Sequence, residues 1–388
     1  MSAMEVVPSH ESTDLHGSYS FTDRLKAVHY GPGSVETALP KLLKQFGVKK
    51  ALIVTGKTLF EKTDVVKTVE AVLRKENAYG ATFHEIGQHS PIAGIRKGIQ
   101  IMKDVGADII VAVGGGSPID ASKAILYNLQ KETGGPTLFQ IAIPTTLSAA
   151  EYTVGAGFTN DEGVKVAVAS QELIPAGIIL DAKLTLATPA RLWLSTGIRA
   201  VDHAVEGLYR PLVPPPLKHL YYAGLADLFK YLPESKANPQ SIEARQKLQI
   251  ASWMSLWPVR IESYSAVGLS HALGHKLGAA YSIPHGITSC LTLAPVIALQ
   301  TELASEDNKK WLAGALFYLH ESSTGTTEGD IRKLSTLVQG LVDSLGLHST
   351  LTEYNVPKED VPGIVERSMG TKDHPVFPKV VKAVENLY

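Results

Sequence analysis

Cysteine is almost absent: Cys290 is the only one among 388 residues. A disulfide within the chain is therefore impossible, and a zinc or iron–sulfur centre built on several thiolates is equally excluded. A reducing compartment, the cytoplasm, is the expected setting. One-sided charge is missing too. The 37 Lys and Arg stand against 38 Asp and Glu, a formal net charge of −1. With no basic block the field that holds a polyanion is lacking, so nucleic acid is not an expected partner. The opening MSAMEVVPSHESTDLHGSYS has no apolar core of the kind a signal peptide needs. No apolar run approaches the roughly 18 residues that cross a bilayer, and a membrane partner is not expected.

What is present is ample core material. Hydrophobic residues make up 44% and charged residues 19%, an ordinary globular balance. The length exceeds what one compact core holds, so two domains are expected. Residues 1–20 read as a polar, flexible tail. From 21 to 190 short apolar runs alternate with helical stretches. Ala51–Thr55, Thr82–Ile86, Asp108–Val113, Gln140–Ile143 and Ile178–Leu180 read as strands, with helices over Asp64–Lys75 and Ile95–Val105. Runs that are apolar throughout suggest strands buried on both faces, hence a parallel sheet covered by helices. From 191 to 388 helical periodicity dominates. Helices are expected over Arg191–Tyr209, Leu217–Leu232, Ser241–Trp257, Val267–Ala280 and Ile331–Leu345, with Pro214–Pro216 a stiff loop. The expected architecture is an α/β Rossmann-like, nucleotide-binding domain followed by an all-helical domain for substrate and catalysis, with a small-molecule site between them.

A glycine loop, Gly114-Gly115-Gly116-Ser117-Pro118, lies between a buried strand and a helix. Glycines let the backbone turn sharply and approach a ligand. Ser117 suits the N-cap, Pro118 the first helical position and Asp120 the third. Free N–H groups at such a helix start favour an anion, and a nicotinamide pyrophosphate is the natural occupant. The plain alternative is a tight turn with an ordinary cap, since the loop is not the GxGxxG fingerprint. Gly56 and Lys57 follow the first clear strand, where an acid often holds the adenosine ribose hydroxyls. With no acid there, a 2′-phosphate meets less repulsion, which leans toward NADPH.

His203, His271, His275 and His285 stand out among 13 histidines. His271 and His275, four apart on one expected helix, share a face. Such a set suits metal binding or proton transfer. A hydrogen-bonded core histidine is the plain alternative for each one singly. Arg199 lies four residues before His203 and would repel a metal unless neutralised. Asp202 is placed to pair with it.

Together these segments resemble the iron-containing alcohol dehydrogenase superfamily, with a motif pattern closest to maleylacetate reductases. The stretches are LIVTGKTL at 52–59, GGGSPIDASK at 114–123, PTTLSAAEYT at 144–153, ILDAKLT at 179–185, TGIRAVDHAVEGLY at 196–209 and HALGHKLGAAYSIPHG at 271–286. The resemblance implies a dehydroquinate synthase-like fold, an NAD(P)-dependent oxidoreductase and a homodimer. Gly115, Gly116 and Ser117 match the pyrophosphate loop. Thr145, Thr146 and Lys165 match cofactor-contacting positions. His203, His271 and His285 match three of four metal positions, and His275 matches the histidine near the nicotinamide that assists proton transfer. Metal-dependent members carry Asp where this chain has Arg199. The segment from PTT to Glu is also one residue shorter, as in maleylacetate reductases.

The resulting expectation is an NAD(P)H-dependent reductase of a small, carboxylated enone or carbonyl substrate, without metal. Arg199 and His203 supply charge and hydrogen bonds, and His275 donates the proton. Competing readings are a metal-dependent alcohol dehydrogenase with a three-histidine iron or zinc site, a sugar-phosphate cyclase-like lyase, and a non-catalytic binding protein.

Overall fold

The computed structural model describes residues 17–20, 24–86, 91–162, 165–211, 213–257 and 267–388. Among them are nine strands: β1 (Gly17–Ser20), β2 (Ala27–Tyr30), β3 (Ala51–Thr55), β4 (Tyr79–Phe83), β5 (Ile109–Gly114), β6 (Phe139–Pro144), β7 (Gly155–Thr159), β8 (Lys165–Ala169) and β9 (Gly177–Leu180). Seven form one sheet in the order β1-β2-β9-β6-β5-β3-β4, and β7 with β8 forms a separate antiparallel hairpin. All pairings in the large sheet are parallel except β1 with β2.

The side-chain alternation of a strand explains why this sheet is covered on both faces. In β3, Leu52 and Val54 enter one apolar cluster while Ala51 and Ile53 enter another. In β5, Ile110 and Ala112 take the first side and Ile109, Val111 and Val113 the second. Every residue of both strands is buried, which is the pattern the continuous apolar runs foretold. The strand order reverses between β3 and β5, so the crevice at their carboxyl ends lies at the topological switch point. Gly56 and the glycine loop stand at those two ends.

The second half is helical around the Ala190–Tyr209 helix. Every residue from Trp193 to Leu208 is buried, so beyond its first turn this helix has no solvent face, and Arg199, Asp202 and Glu206 lie inside protein. Helices Pro215–Ala237, Ile242–Leu256 and His285–Leu303 pack around it. The Ile242–Leu256 helix also fastens the halves together through buried side chains. Arg245 Nη1 donates to Thr185 O (2.7 Å), Gln246 Nε2 to Leu180 O (3.0 Å), Gln249 Nε2 to Pro144 O (3.2 Å) and Ser252 Oγ to Leu147 O (3.2 Å).

Several expectations need correction. Within the expected tail, Gly17–Ser20 pair with Ala27–Tyr30 as an edge strand, and residues 1–16 lie outside the described residues. The strand expected at Thr82–Ile86 runs over Tyr79–Phe83, because its register is set by pairing with β3 and not by its own weak apolar pattern. Pro214–Pro216 is not a loop. Pro214 is the N-cap and Pro215 opens the Pro215–Ala237 helix, where a missing N–H costs nothing. The His285–Leu303 helix is long and apolar enough, by length and composition, to cross a membrane. It is largely buried against other helices, as a core helix is.

Candidate active site

Strand β5 ends in Gly114, whose φ of +137° only glycine adopts without strain. A Cβ there would lie 2.9 Å from Pro118 Cγ. The chain then enters the Gly116–Thr133 helix with Gly115 as N-cap in extended conformation and no side-chain cap. Ser117 is thus two positions further into the helix than the sequence suggests, and it is exposed. The glycines, not a hydroxyl, make this turn, and the first N–H groups are left without a side-chain acceptor. Asp120 is not part of the cap; it meets Lys123 Nζ at 3.4 Å.

Lys123 is fully buried and donates to Ala150 O (2.7 Å), Thr153 Oγ1 (2.8 Å) and Gly155 O (3.1 Å). It ties the segment after β6 to the Gly116–Thr133 helix. Glu151, beside it, is also buried, and that burial pushes its carboxyl up to about 7 against the pull of Lys123. On the same segment Thr145 N donates to Gly114 O (2.8 Å), and Thr146 Oγ1 lies 3.1 Å from Ser148 Oγ. Leu147 N donates to Thr196 Oγ1 (3.1 Å), which carries the connection to the helix bearing Arg199. Gly56 caps the short Lys57–Lys62 helix after β3, and Lys57 is exposed beside Glu61 at 3.8 Å. Lys165 opens β8 on the separate hairpin; its side chain lies outside the described residues.

The histidines gather where three helices meet. Arg199 and His203 come from the Ala190–Tyr209 helix, His271 and His275 from Leu269–Tyr281, and His285 opens His285–Leu303. Ring centroids are 4.7 Å apart for His203 and His271, 6.3 Å for His271 and His275, and 5.7 Å for His275 and His285. Arg199, His203 and His271 are buried, whereas His275 and His285 reach solvent. Arg199 Nη1 donates to Ser289 Oγ (3.1 Å) and Nη2 lies 3.3 Å from His275 Nε2. A guanidinium only donates, so Nε2 is the acceptor and the proton of this neutral imidazole resides on Nδ1. Partial burial, followed by the charge of Arg199, holds His275 below the usual histidine range. Burial, with His271 and Arg199, holds His203 well below the usual histidine range.

Two carboxylates complete the cluster: Asp202, expected to pair with Arg199, and Glu206, for which the sequence suggested no role. Asp202 Oδ2 accepts from Ser289 Oγ (2.6 Å) and Ser270 Oγ (3.0 Å), and lies 3.9 Å from Arg199 Nη1. Glu206 accepts from the N–H groups of Gly268 (2.7 Å) and Ser270 (2.8 Å), capping the Leu269–Tyr281 helix. His271 Nδ1 faces both, 3.2 Å from Asp202 Oδ1 and 2.8 Å from Glu206 Oε2, as an ion pair without hydrogen-bond alignment. Burial and Arg199 depress its pKa, but the two carboxylates prevail and the net shift is upward. Their signal in the sequence was the four-residue spacing from 202 to 206, which puts both on one face of a buried helix.

The family profile of the iron-containing alcohol dehydrogenases matches residues 26–182, and its C-terminal profile matches residues 193–386. The chain belongs to the iron-containing alcohol dehydrogenase family and is an oxidoreductase of that family. A maleylacetate reductase of Pseudomonas sp. (strain P51) is 28% identical over 80% of this chain and 88% of its own length. The NAD-dependent methanol dehydrogenase of Bacillus methanolicus is 27% identical over 85% of this chain and 88% of its own. The crystal structure of maleylacetate reductase from Rhizobium sp. strain MTP-10005 superposes with a TM-score of 0.78 at 24% identity, covering 96% and 98% of the two chains.

The family name implies iron. His203 Nδ1 and His271 Nε2 are buried without hydrogen-bond partners, as atoms awaiting a metal would be. The rest of the arrangement disagrees. A guanidinium stands at position 199, and His203, His271 and His285 do not converge. Among the described residues the trio with ligand atoms within 4.8 Å of one another is Asp202, Glu206 and His271. In that trio Nδ1 and Oε2 lie 2.8 Å apart, close to the spacing of neighbouring ligands on ~2.1 Å metal bonds, so it is a possible three-residue metal site away from the family's histidine positions. The residues present do not fit iron at the family's positions.

Proposed function

We propose that this chain uses NAD(P)H to reduce a small carbonyl or enone substrate, a carboxylated one of the maleylacetate class, and that Arg199 supplies the positive charge a metal supplies elsewhere in the family. The observation that carries this reading is the contact of the buried Arg199 guanidinium with His275. The maleylacetate reductase relatives support the substrate class.

In this reading the pyrophosphate lies on the N–H groups at Gly115, Gly116 and Ser117. Thr145, Thr146, Asp120 and Lys165 line the cofactor, and Gly56 with Lys57 favours NADPH. Hydride passes from the nicotinamide to a substrate carbon, and negative charge develops on the substrate oxygen. Arg199 receives that charge as a fixed, buried cation. His275, its Nε2 held by Arg199, offers its Nδ1–H to the substrate oxygen as a hydrogen bond, and the proton that completes the product comes from the solvent that His275 reaches. His203, held neutral, shapes the wall beside Arg199. A homodimer and a cytoplasmic location belong to the same proposal.

The test is NADPH oxidation with maleylacetate after exhaustive chelation. Turnover without metal supports the reading. A second reading, a metal-dependent alcohol dehydrogenase, draws on the Asp202–Glu206–His271 trio and the methanol dehydrogenase relative. Near-stoichiometric metal together with activity lost to chelator would put it in place of the first.

A further inference from the structure

The unused groups of the site form a chain with one direction. Ser289 Oγ has a single proton. Asp202, a carboxylate, can only accept, and Arg199 can only donate. The 2.6 Å contact therefore takes the serine proton to Asp202 Oδ2, and the 3.1 Å contact puts a serine lone pair on Arg199 Nη1. No alternative orientation satisfies both neighbours. Ser270 Oγ donates to the same Asp202 oxygen from the facing helix. Arg199 and Asp202 are three apart on one helix, so the carboxylate lies on the guanidinium's own face. All of these residues are buried.

We propose that Asp202, acting through Ser289, is the positioning residue that neutralises Arg199 and aims its Nη2 at His275. The proposal rests on the reading of Arg199 as the charge that meets the substrate oxygen. An unpaired buried guanidinium is too costly to keep. With Nη1 fixed by Ser289 and Asp202, Nη2 is the nitrogen turned toward the reacting group. Arg199 and Asp202 then act as a coupled unit: a cation at 199 requires the anion at 202.

Chemical rescue tests this. Arg199→Ala leaves a space that a free guanidinium ion fills, provided Asp202 and Ser289 remain to hold it. Millimolar guanidinium chloride, far below denaturing levels, should raise the NADPH–maleylacetate turnover of Arg199→Ala at least tenfold. The same salt should do nothing for Arg199→Ala/Asp202→Asn, and little for the milder Arg199→Ala/Ser289→Ala, which guards against a folding failure in the first pair. A second readout needs no substrate. Guanidinium should raise the melting temperature of Arg199→Ala saturably, and this shift should vanish in both double variants. Equal rescue and equal shifts with and without Asp202 would overturn the proposal. If the wild-type chain turns over no maleylacetate while the melting shifts follow this pattern, the substrate reading fails and the positioning role stands.

Discussion

Arg199 Nη2 and His275 Nε2 lie 3.3 Å apart across two helices, an acceptor on a neutral imidazole meeting a permanent cation. The contact joins position 199 to the histidine cluster. It also fixes the tautomer of the histidine, which the sequence could not.

Arg199→Ala should lower kcat on maleylacetate by about 10²–10³, the usual cost of removing one preorganised donor to a developing oxyanion. NADPH affinity, read by fluorescence titration, should change by less than about twofold, too small to register as ~1 kcal/mol. Arg199→Lys should recover little, because an ammonium is a point charge without the fork that meets Ser289 and His275 together. Near-normal kinetics in either variant would remove Arg199 from the centre.

Gly115→Ala would set a Cβ 3.0 Å from Thr146 Cγ2. The two sides of the cofactor loop must then separate by a few tenths of an ångström. NADPH binding should weaken by roughly tenfold or more, about 1.4 kcal/mol, with the melting temperature nearly unchanged. A variant that binds cofactor normally would dissociate this loop from the pyrophosphate.

Glu151 should make stability depend on pH with an unusual sign. Its carboxyl is raised from 4.5 to about 7 by burial. Between those values the unfolded chain loses the proton while the fold keeps it, so stability falls as pH rises. The loss is complete above about 7 and is on the order of 3 kcal/mol. Glu151→Gln keeps the neutral shape and should flatten the decline. Melting curves of both proteins from pH 5 to 8 that run parallel would show that Glu151 titrates as an ordinary glutamate.

Gly207→Ala would bring a Cβ within 2.4 Å of the Tyr221 ring inside the helical core. Overpacking of this kind costs about 1–3 kcal/mol. Urea unfolding should show the midpoint falling with little change in slope.

The α/β half was legible where burial on both faces leaves an unbroken apolar run. Ala51–Thr55 was read to the residue. Tyr79–Phe83 was displaced, and Ala27–Tyr30 was missed, because only pairing with neighbours makes such short, mixed segments strands. The β7–β8 hairpin escaped for the same reason. Gly116–Thr133 begins two residues earlier than a Ser117 cap implies, since an extended glycine ends the turn without any side-chain acceptor. Arg199 and the four histidines were found because their types are rare in that spacing. Asp202 was expected only to pair with Arg199, and Glu206 was given no role; what they do depends on Ser270, Ser289 and Gly268, which arrive from other segments. Lys123 likewise looks like a surface residue of a helix until Ala150, Thr153 and Gly155 close over it.

The four contacts from Ile242–Leu256 to the edge of the sheet have a mechanical consequence. Each ends on a backbone carbonyl, and only one, Arg245, starts from a charged group. Opening that seam would exchange all four bonds for water at once, at about 0.5–1.5 kcal/mol net apiece. The joint therefore behaves as a weld instead of a hinge. Admission of cofactor and substrate falls to side chains and loops, and X-ray scattering should return the same radius of gyration with and without NADPH.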